Sequence, residues 1–264
     1  MAVHAEGGAA GHPVRLVEMR RPQLEQRLQQ TDLALVATGS VEQHGPHLPY
    51  GTDAFAAEVV AEALARRLNG VLLPFTPLGI TPLHMAFKGT LTLRPETFMA
   101  LLADVLDSAW KHGFRRFVVV NWHEGNIPAI QMSASRLVQQ TGARVVLVQA
   151  CYVAEEMFGH EVGGLTHGGE MEVLPVLLYN PQLVALAEAA QPSDRSQGQL
   201  MDRRRRSRGI SLVIRDVREI APTGWYGDPH PATVDKARRL FEQLADRVAG
   251  ELRELLADSD GARG

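Results

Sequence analysis

Three side chains that can bind a metal ion lie within twelve residues of one another: Glu42, His44 and Asp53. In extended backbone, side chains two positions apart point to the same side, so Glu42 and His44 could leave neighbouring positions and bind two adjacent ions. Asp53 is expected at the start of a helix, whose N-terminus favours negative charge, and could bridge the ions with its two oxygens. Oxygen and imidazole ligands without thiolate suit zinc or manganese, and the pattern does not choose between them.

Each of these residues also has an ordinary structural interpretation. A single Glu or His at a strand end is most often a surface or hydrogen-bonded residue, and Asp53 alone would be a good N-cap for the helix after it. His123-Glu124 lacks the second histidine that the HExxH zinc motif requires. A metal site therefore depends on which other residues the fold brings to the same place.

The elements that must position these residues alternate between short apolar runs and longer helical segments. This alternation predicts a layered α/β fold with a mostly parallel sheet flanked by helices. The strands are expected at residues 33–37, 71–73, 117–120 and 144–148. The helices are expected at residues 55–68, from 95 to about 112, after Pro128, and from 232 to 256. Two stretches fall outside this scheme: a glycine-rich loop at residues 161–170 and a polar, mobile excursion at residues 190–208.

Polar clusters follow the predicted strands at one edge of the sheet. They occupy residues 39–53 after the first strand, 121–126 after the third and 166–172 beyond the fourth. The sites of open α/β sheets lie outside the carboxyl ends of the strands. The three loops would therefore gather several histidines and at least four carboxylates in one place.

Size, charge and cysteine content narrow the class of protein. With 264 residues, 45% of them hydrophobic, the chain can bury one large core; we expect a disordered tail at 1–13 and a single domain at 14–258. A net charge of −3 gives no general attraction to nucleic acid or to a membrane, and no apolar run could span a bilayer. We find no secretory segment in the sequence. The single cysteine, Cys151, is interpreted as buried rather than nucleophilic. Both features predict a cytoplasmic location.

A run of four arginines, from Arg203 to Arg206, is followed by Arg208. Such a run could bind nucleic acid. The acidic overall balance and the lack of interleaved aromatic residues favour a solvated loop or a subunit contact instead.

Five segments, in order between about residues 33 and 240, together resemble the creatininase (creatinine amidohydrolase) family. The most specific is Gly-Ser-Val-Glu-Gln-His-Gly-Pro-His-Leu-Pro at 39–49, followed by Thr52-Asp53. The others are His84 with the stretch 89–97, Asn-Trp-His-Glu-Gly-Asn at 121–126, His-Gly-Gly-Glu-Met-Glu at 167–172, and Gly224 with 227–229 and 232–233.

The resemblance implies a layered α/β fold, two divalent metal ions and hydrolysis of a carbon–nitrogen bond in an amide, often a cyclic one. By position, Glu42, Asp53 and His123 would hold one ion, and Asp53 would bridge to a second ion held by His44. His167 matches a histidine that assists proton transfer, here by protonating the leaving nitrogen. Members of the family commonly form hexamers, so a homo-oligomer is expected.

Two positions differ from creatininase itself. Gly125 stands where creatininase has a metal-binding Glu, and we expect Glu172 to supply the missing carboxylate. Glu124 is the alternative, and either residue could be a ligand or the base that accepts a water proton. Gly163 and Gly164 stand where creatininase has Trp-Asp, which helps enclose creatinine. The sequence therefore predicts the chemistry of the family on a different amide.

The predicted function is hydrolysis of a small-molecule amide, cyclic or open, by a metal-activated water. The alternatives within the family are a deformylase acting on formamides and a peptidase that trims a redox-peptide precursor. A non-catalytic, metal-stabilised scaffold is the alternative from another class. The intact set of candidate ligands argues against the scaffold, because a degenerate site usually loses at least one of them: Glu42, His44, Asp53, His123 and His167.

Overall fold

The computed structural model describes residues 14–189, 195–207 and 209–257, without the side chains of residues 195–199. The tail expected at 1–13 lies outside the described residues. So do residues 190–194 and Arg208 of the expected excursion.

Four parallel strands form the sheet at the centre of the molecule. They are β1 (Leu33–Thr38), β2 (Val71–Leu73), β3 (Arg116–Asn121) and β4 (Arg144–Gln149), in the order β2-β1-β3-β4. The register places Leu35 between Leu72 and Val118. Because all the strands run the same way, their carboxyl ends meet at one edge. The predicted layered α/β fold with a mostly parallel sheet is confirmed.

Helices cover both faces of this sheet. In chain order they are α1 (Arg21–Leu28), α2 (Thr52–Arg67), α3 (Pro95–Lys111), α4 (Ile127–Thr141), α5 (Ala150–Phe158), α6 (Glu170–Tyr179), α7 (Arg195–Arg205) and α8 (Val234–Leu256). Alternate strand residues point to opposite faces. Leu35 and Val118 therefore pack with α2, α5, α6 and α8, whereas Val36 and Val119 pack with α3 and α4. None of the described helices is long and apolar enough to cross a lipid bilayer.

Two helices on the site side of the sheet, α5 and α6, were not predicted from the sequence. Every residue of α6 from Glu170 to Leu177 is buried, and Pro175 lies inside the helix. A helix buried all round has no apolar stripe with a period of 3.6 residues, so the usual helical signal is missing. The glycine-rich loop is observed up to Gly169, and Glu170 begins α6.

The start of α2 corrects one prediction. Gly51 is the N-cap, and Asp53 is the second residue of the helix. The N-cap interpretation of Asp53 was therefore wrong. Its carboxylate contacts the side chains of Ser40, His44 and His123 rather than the backbone N–H groups of its own helix.

The mobile excursion expected at 190–208 is also corrected where the structure describes it. Residues 195–205 form α7, and Asp202 on this helix is buried. Acidic and basic side chains three and four positions apart on one helix can pair with each other, which stabilises such a polar segment.

The last helix, α8, anchors the chain against the sheet. Thr233 caps it by accepting the backbone N–H of Lys236 at 3.2 Å. Its apolar face lies in the same core as α2 and α6. Leu252 on that face is 1% exposed, whereas Leu255, one turn later, is 57% exposed.

This difference within one helix predicts two unequal effects on stability. Leu252→Ala should lower the free energy of unfolding by about 2–5 kcal/mol, because it leaves a cavity in the core. The matched control Leu255→Ala should change it by no more than about 0.5 kcal/mol. Urea denaturation followed by circular dichroism measures both values. Equal losses in the two variants would contradict the described packing of α8.

Candidate metal centre

Loops at the carboxyl edge of the sheet bring the predicted ligands together. Glu42 and His44 lie in the loop after β1, Asp53 in the first turn of α2, and His123 just after β3. Glu42 and Asp53 are each only 2% exposed. Buried carboxylates are costly unless cations or hydrogen-bond donors compensate them. The residues around them must therefore provide positive charge.

Asp53 is the shared member of the group. Its Oδ2 lies 2.9 Å from His123 Nδ1 and accepts a hydrogen bond from Ser40 Oγ, also at 2.9 Å. Its Oδ1 lies 3.2 Å from His44 Nε2. The two oxygens of one carboxylate thus contact histidines from two different loops.

A first set of possible ligands consists of Glu42, Asp53 and His123. Each offers one ligand atom, and these atoms lie within 4.8 Å of one another. Glu42 Oε2 is buried, lies 3.5 Å from His123 Nδ1 and accepts no hydrogen bond from the described residues. A buried carboxylate oxygen without a donor suits a bound cation. Two carboxylates and an imidazole fit zinc or manganese.

A second set consists of His44, His167 and Glu172, whose ligand atoms also lie within 4.8 Å of one another. Glu172 stands in the first turn of α6, and its Oε2 is 3.7 Å from His44 Nε2. The same oxygen accepts the backbone N–H of Gly168. The structure thus brings Glu172 to the place where a further carboxylate was expected.

His84 joins the site although it was not among the predicted ligands. Its Nε2 lies 3.5 Å from Glu42 Oε1, and Glu42, His84 and His167 form a third set of possible ligands. The His84 ring is 4.4 Å from that of His167, which is 4.3 Å from that of His44. His84 belongs to one of the five family-like segments, and that was the available signal.

Gln43 holds two of these histidines in place. Its side-chain Nε2 donates to the Gly224 carbonyl and lies 3.3 Å from His84 Nδ1. His167 Nε2 is 2.7 Å from the backbone carbonyl of Gln43. Because a carbonyl oxygen only accepts, this hydrogen bond assigns the proton of neutral His167 to Nε2 and leaves Nδ1 without one.

Burial and charge act in opposite directions on the pKa values of the two histidines next to Asp53. Burial disfavours the charged ring of His44, but Asp53 and Glu172 outweigh it and raise its pKa to about 10. Burial acts in the same way on His123, and there Glu42 and Asp53 raise the pKa to about 9. Protons on these rings and metal ions are alternative cations for the same carboxylates.

The pKa values of the other two members of the second set, His167 and Glu172, shift in the directions that favour their uncharged forms. Burial, reinforced by His44 and His84, lowers the pKa of His167 well below its usual value. Burial also raises the pKa of Glu172 to about 8, against the attraction of His44. His167 is therefore a neutral imidazole at neutral pH.

Glu124 lies in a different environment from Glu172. Its Oε1 is 2.7 Å from Arg206 Nε and from the Tyr152 hydroxyl, and its Oε2 pairs with Arg205. Burial opposes ionisation, but the two arginines prevail and lower the pKa of Glu124 to about 2. A carboxylate with so low a pKa is a poor proton acceptor at neutral pH. Glu124 is in none of the three possible ligand sets among the described residues.

Gly125 shows why a ligand cannot come from that position here. A Cβ on this residue would lie 2.1 Å from the Ile80 carbonyl oxygen and 2.6 Å from His123 Nε2. Any side chain would force the loop away from the sheet edge. At Gly163, by contrast, an added Cβ would meet no described atom within 4 Å.

The arginine run is divided between the surface and the interior. Arg203 and Arg204 are exposed, whereas Arg205 and Arg206 are partly buried and pair with Glu124 and Asp202. Arg205 and Arg206 therefore do not lie in a solvated loop, which was one of the two interpretations favoured from the sequence; the subunit contact stays a prediction. The spacing of Asp202 three and four residues before them was the signal in the sequence.

A cavity of about 240 Å³ joins these groups. Cys151 also borders it, and burial raises the pKa of its thiol well above the usual value, so it stays protonated. The residues that line the cavity include possible metal ligands, the charged residues Glu124, Asp202, Arg205 and Arg206, and apolar side chains such as Ile80, Leu83, Leu165, Ile214, Val217 and Ile220.

Comparison with known proteins agrees with the resemblance seen in the five segments. The Creatininase family, described as creatinine amidohydrolase, matches residues 17–252. A mycofactocin precursor peptide peptidase from Mycobacterium ulcerans (strain Agy99) is 30% identical over 238 residues, which cover 86% of this chain and 87% of the relative.

Solved structures share the fold. A crystal structure of creatinine amidohydrolase superposes with a TM-score of 0.79 at 19% identity, covering 93% of this chain and 99% of that one. A creatininase variant in a Zn–Zn form gives 0.78 at 20% identity, covering 91% and 97%. The family match across the domain and the buried ligand sets at the sheet edge agree with each other, and the chain belongs to the creatinine amidohydrolase family of metal-dependent hydrolases.

Proposed function

We propose that this protein hydrolyses an amide C–N bond at a centre of two divalent metal ions, and that the amide belongs to a peptide. The two-ion proposal rests on the Asp53 carboxylate, one oxygen of which lies next to His123 and the other next to His44. Glu42, Asp53 and His123 would hold one ion. His44 and Glu172 would hold the other, with Asp53 shared.

Two ions bound there would polarise the amide carbonyl and lower the pKa of a nearby water. Zinc and manganese both fit the ligands, and a creatininase variant of the same fold has a Zn–Zn form. Glu172 supplies a carboxylate that position 125 has no room for.

His167 is the residue that moves the proton. It is neutral, and its Nδ1, which carries no proton, lies 3.9 Å from Glu42 Oε1, on the side of the ligand sets. It would pass a proton from the attacking water to the leaving nitrogen without staying charged, as its lowered pKa requires. Gln43 keeps Nδ1 available by holding the other ring nitrogen at its carbonyl.

A peptide is the substrate class with the most support. The relative that is 30% identical over most of both chains is a peptidase that acts on a precursor peptide. A cavity of about 240 Å³ suits the end of a flexible chain rather than a folded polypeptide. The same volume also suits a small amide, the first function predicted from the sequence, which is the second candidate. The homo-oligomeric state and the cytoplasmic location stay predictions from the sequence.

A substrate panel tests the proposed function. Protein loaded with zinc or manganese should hydrolyse short linear peptides with a kcat/KM at least tenfold above that for creatinine or for formamides. Liquid chromatography with mass spectrometry detects the products, and protein treated with a chelator is the control. Faster turnover of ring amides or formamides would overturn the peptide assignment. A failure to hydrolyse any amide with two ions bound would overturn the hydrolase itself.

Metal content tests the ligand assignment. The unchanged protein should hold two equivalents, Glu42→Ala and His44→Ala one each, and Asp53→Ala none, because Asp53 belongs to both sets. Elemental analysis after gel filtration measures this, and circular dichroism checks the fold. Asp246→Ala, which removes an acid whose side chain is 73% exposed, should keep both equivalents. Two equivalents in Asp53→Ala would refute its shared role.

Proton release should accompany metal binding. The pKa values of His44, about 10, and His123, about 9, place a proton on each ring at neutral pH, and each proton must leave for the nitrogen to bind an ion. Metal affinity should therefore rise with pH up to about 10. The pKa of Glu172, about 8, keeps a proton on that ligand at neutral pH as well. Calorimetry in two buffers with different ionisation heats should show about three protons released at full loading, and fewer in His44→Ala, which loads only one ion. Identical heats in both buffers would contradict this linkage.

A further inference from the structure

Arg205 and Arg206 line the same cavity as the candidate metal ligands. Arg205 is the last residue of α7, and Arg206 follows it. Their side chains are only 23% and 20% exposed, and both line the cavity together with Glu42 and His123. Two adjacent, partly buried guanidinium groups beside the candidate metal centre suggest a role beyond stabilising α7.

Two internal carboxylates hold these arginines in fixed positions. Asp202 Oδ1 is 2.8 Å from Arg205 Nη2, and Asp202 Oδ2 is 2.7 Å from Arg206 Nη1. Glu124 pairs with both arginines, at 2.7 Å from Arg206 Nε. Two positive and two negative charges cancel, so this cluster needs no metal ion, and its guanidinium planes are set before a ligand arrives.

One terminal nitrogen of each guanidinium group has no partner among the described residues. Within the described residues, Arg205 Nη1 and Arg206 Nη2 form no hydrogen bond or ion pair, although the other nitrogens of both groups do. Neither of these nitrogens is among the buried atoms without a partner, so both are accessible to solvent and to a ligand. Two such donors from neighbouring arginines match the two oxygens of a carboxylate.

We propose that Arg205 and Arg206 bind a free carboxylate of the substrate, so that the enzyme cleaves the amide bond of a C-terminal residue. This proposal rests on the proposed function and adds the substrate class to it. The apolar side chains of Leu83, Ile214 and Val217, which line the same cavity, would contact an apolar side chain of that residue. Hydrolysis breaks the C–N bond, adds the water oxygen to the acyl carbon and leaves a proton on the released amino group, and it needs no further reactant.

A matched pair of substrates tests this. N-acetyl-alanyl-leucine with a free carboxylate and its C-terminal carboxamide differ only in the group that the arginines would recognise. The unchanged, metal-loaded enzyme should prefer the carboxylate form at least tenfold in kcat/KM. Arg205→Lys should reduce this preference to less than threefold, because lysine lacks the second donor edge. Arg203→Lys, an exposed residue on the same helix, is the control and should keep the full preference.

Equal kcat/KM for the two forms in the unchanged enzyme would overturn the proposal. It would also be overturned by a preference that persists in Arg205→Lys and in Arg206→Lys when both variants hold two metal equivalents. A binding measurement on the unchanged enzyme depends neither on the folding of variants nor on turnover. In calorimetry, free leucine should bind at least tenfold more tightly than leucinamide. If neither dipeptide is hydrolysed but leucine still binds selectively, the proposed function fails and the carboxylate site stands.

Discussion

The burial of three carboxylates, Glu42, Asp53 and Glu172, is the constraint on which the site depends. Carboxylates away from water need cations or hydrogen-bond donors close by, and the nearest groups are the imidazoles of His44 and His123. The opposed pKa shifts in the centre follow from this one condition. The same carboxylates raise the pKa of His44 and His123. Burial lowers the pKa of His167, and His44, once charged, lowers it further. A centre in this state is prepared to exchange its protons for metal ions.

Because the strands are parallel, short loops are enough to bring these buried carboxylates together. Because β1 and β3 are neighbours, the loops that follow them start side by side, and Asp53 needs only the first turn of α2 to reach both. The loop after β3 approaches the Ile80 backbone so closely that position 125 has no room for a side chain. The further carboxylate next to His44 comes instead from Glu172 in the first turn of α6.

In a second charged cluster of the cavity, arginines rather than histidines compensate the charge of the carboxylates. Glu124 and Asp202 are neutralised by Arg205 and Arg206, so this cluster is complete without a metal ion. The pairing also keeps Glu124 away from the metal ligands, although it is the residue next to His123. Apolar side chains line the cavity together with both charged groups.

Local sequence was sufficient to predict the strands, the parallel sheet, the family and the closeness of Glu42, Asp53 and His123. These depend on apolar periodicity and on short motifs whose members lie close together in the chain, as do Glu42, His44 and Asp53. Packing decided the rest. The helix α6 is buried on every side, so its sequence has no apolar stripe of helical period and did not predict a helix. Its packing against α2 and α8 accounts for that burial. The different environments of Glu124 and Glu172, the approach of His84 to Glu42, and the pairing of the buried arginines with Glu124 join residues that are far apart in the chain. Which of two neighbouring side chains turns toward a site depends on the distant groups that compensate its charge, and those groups come together only in the folded protein.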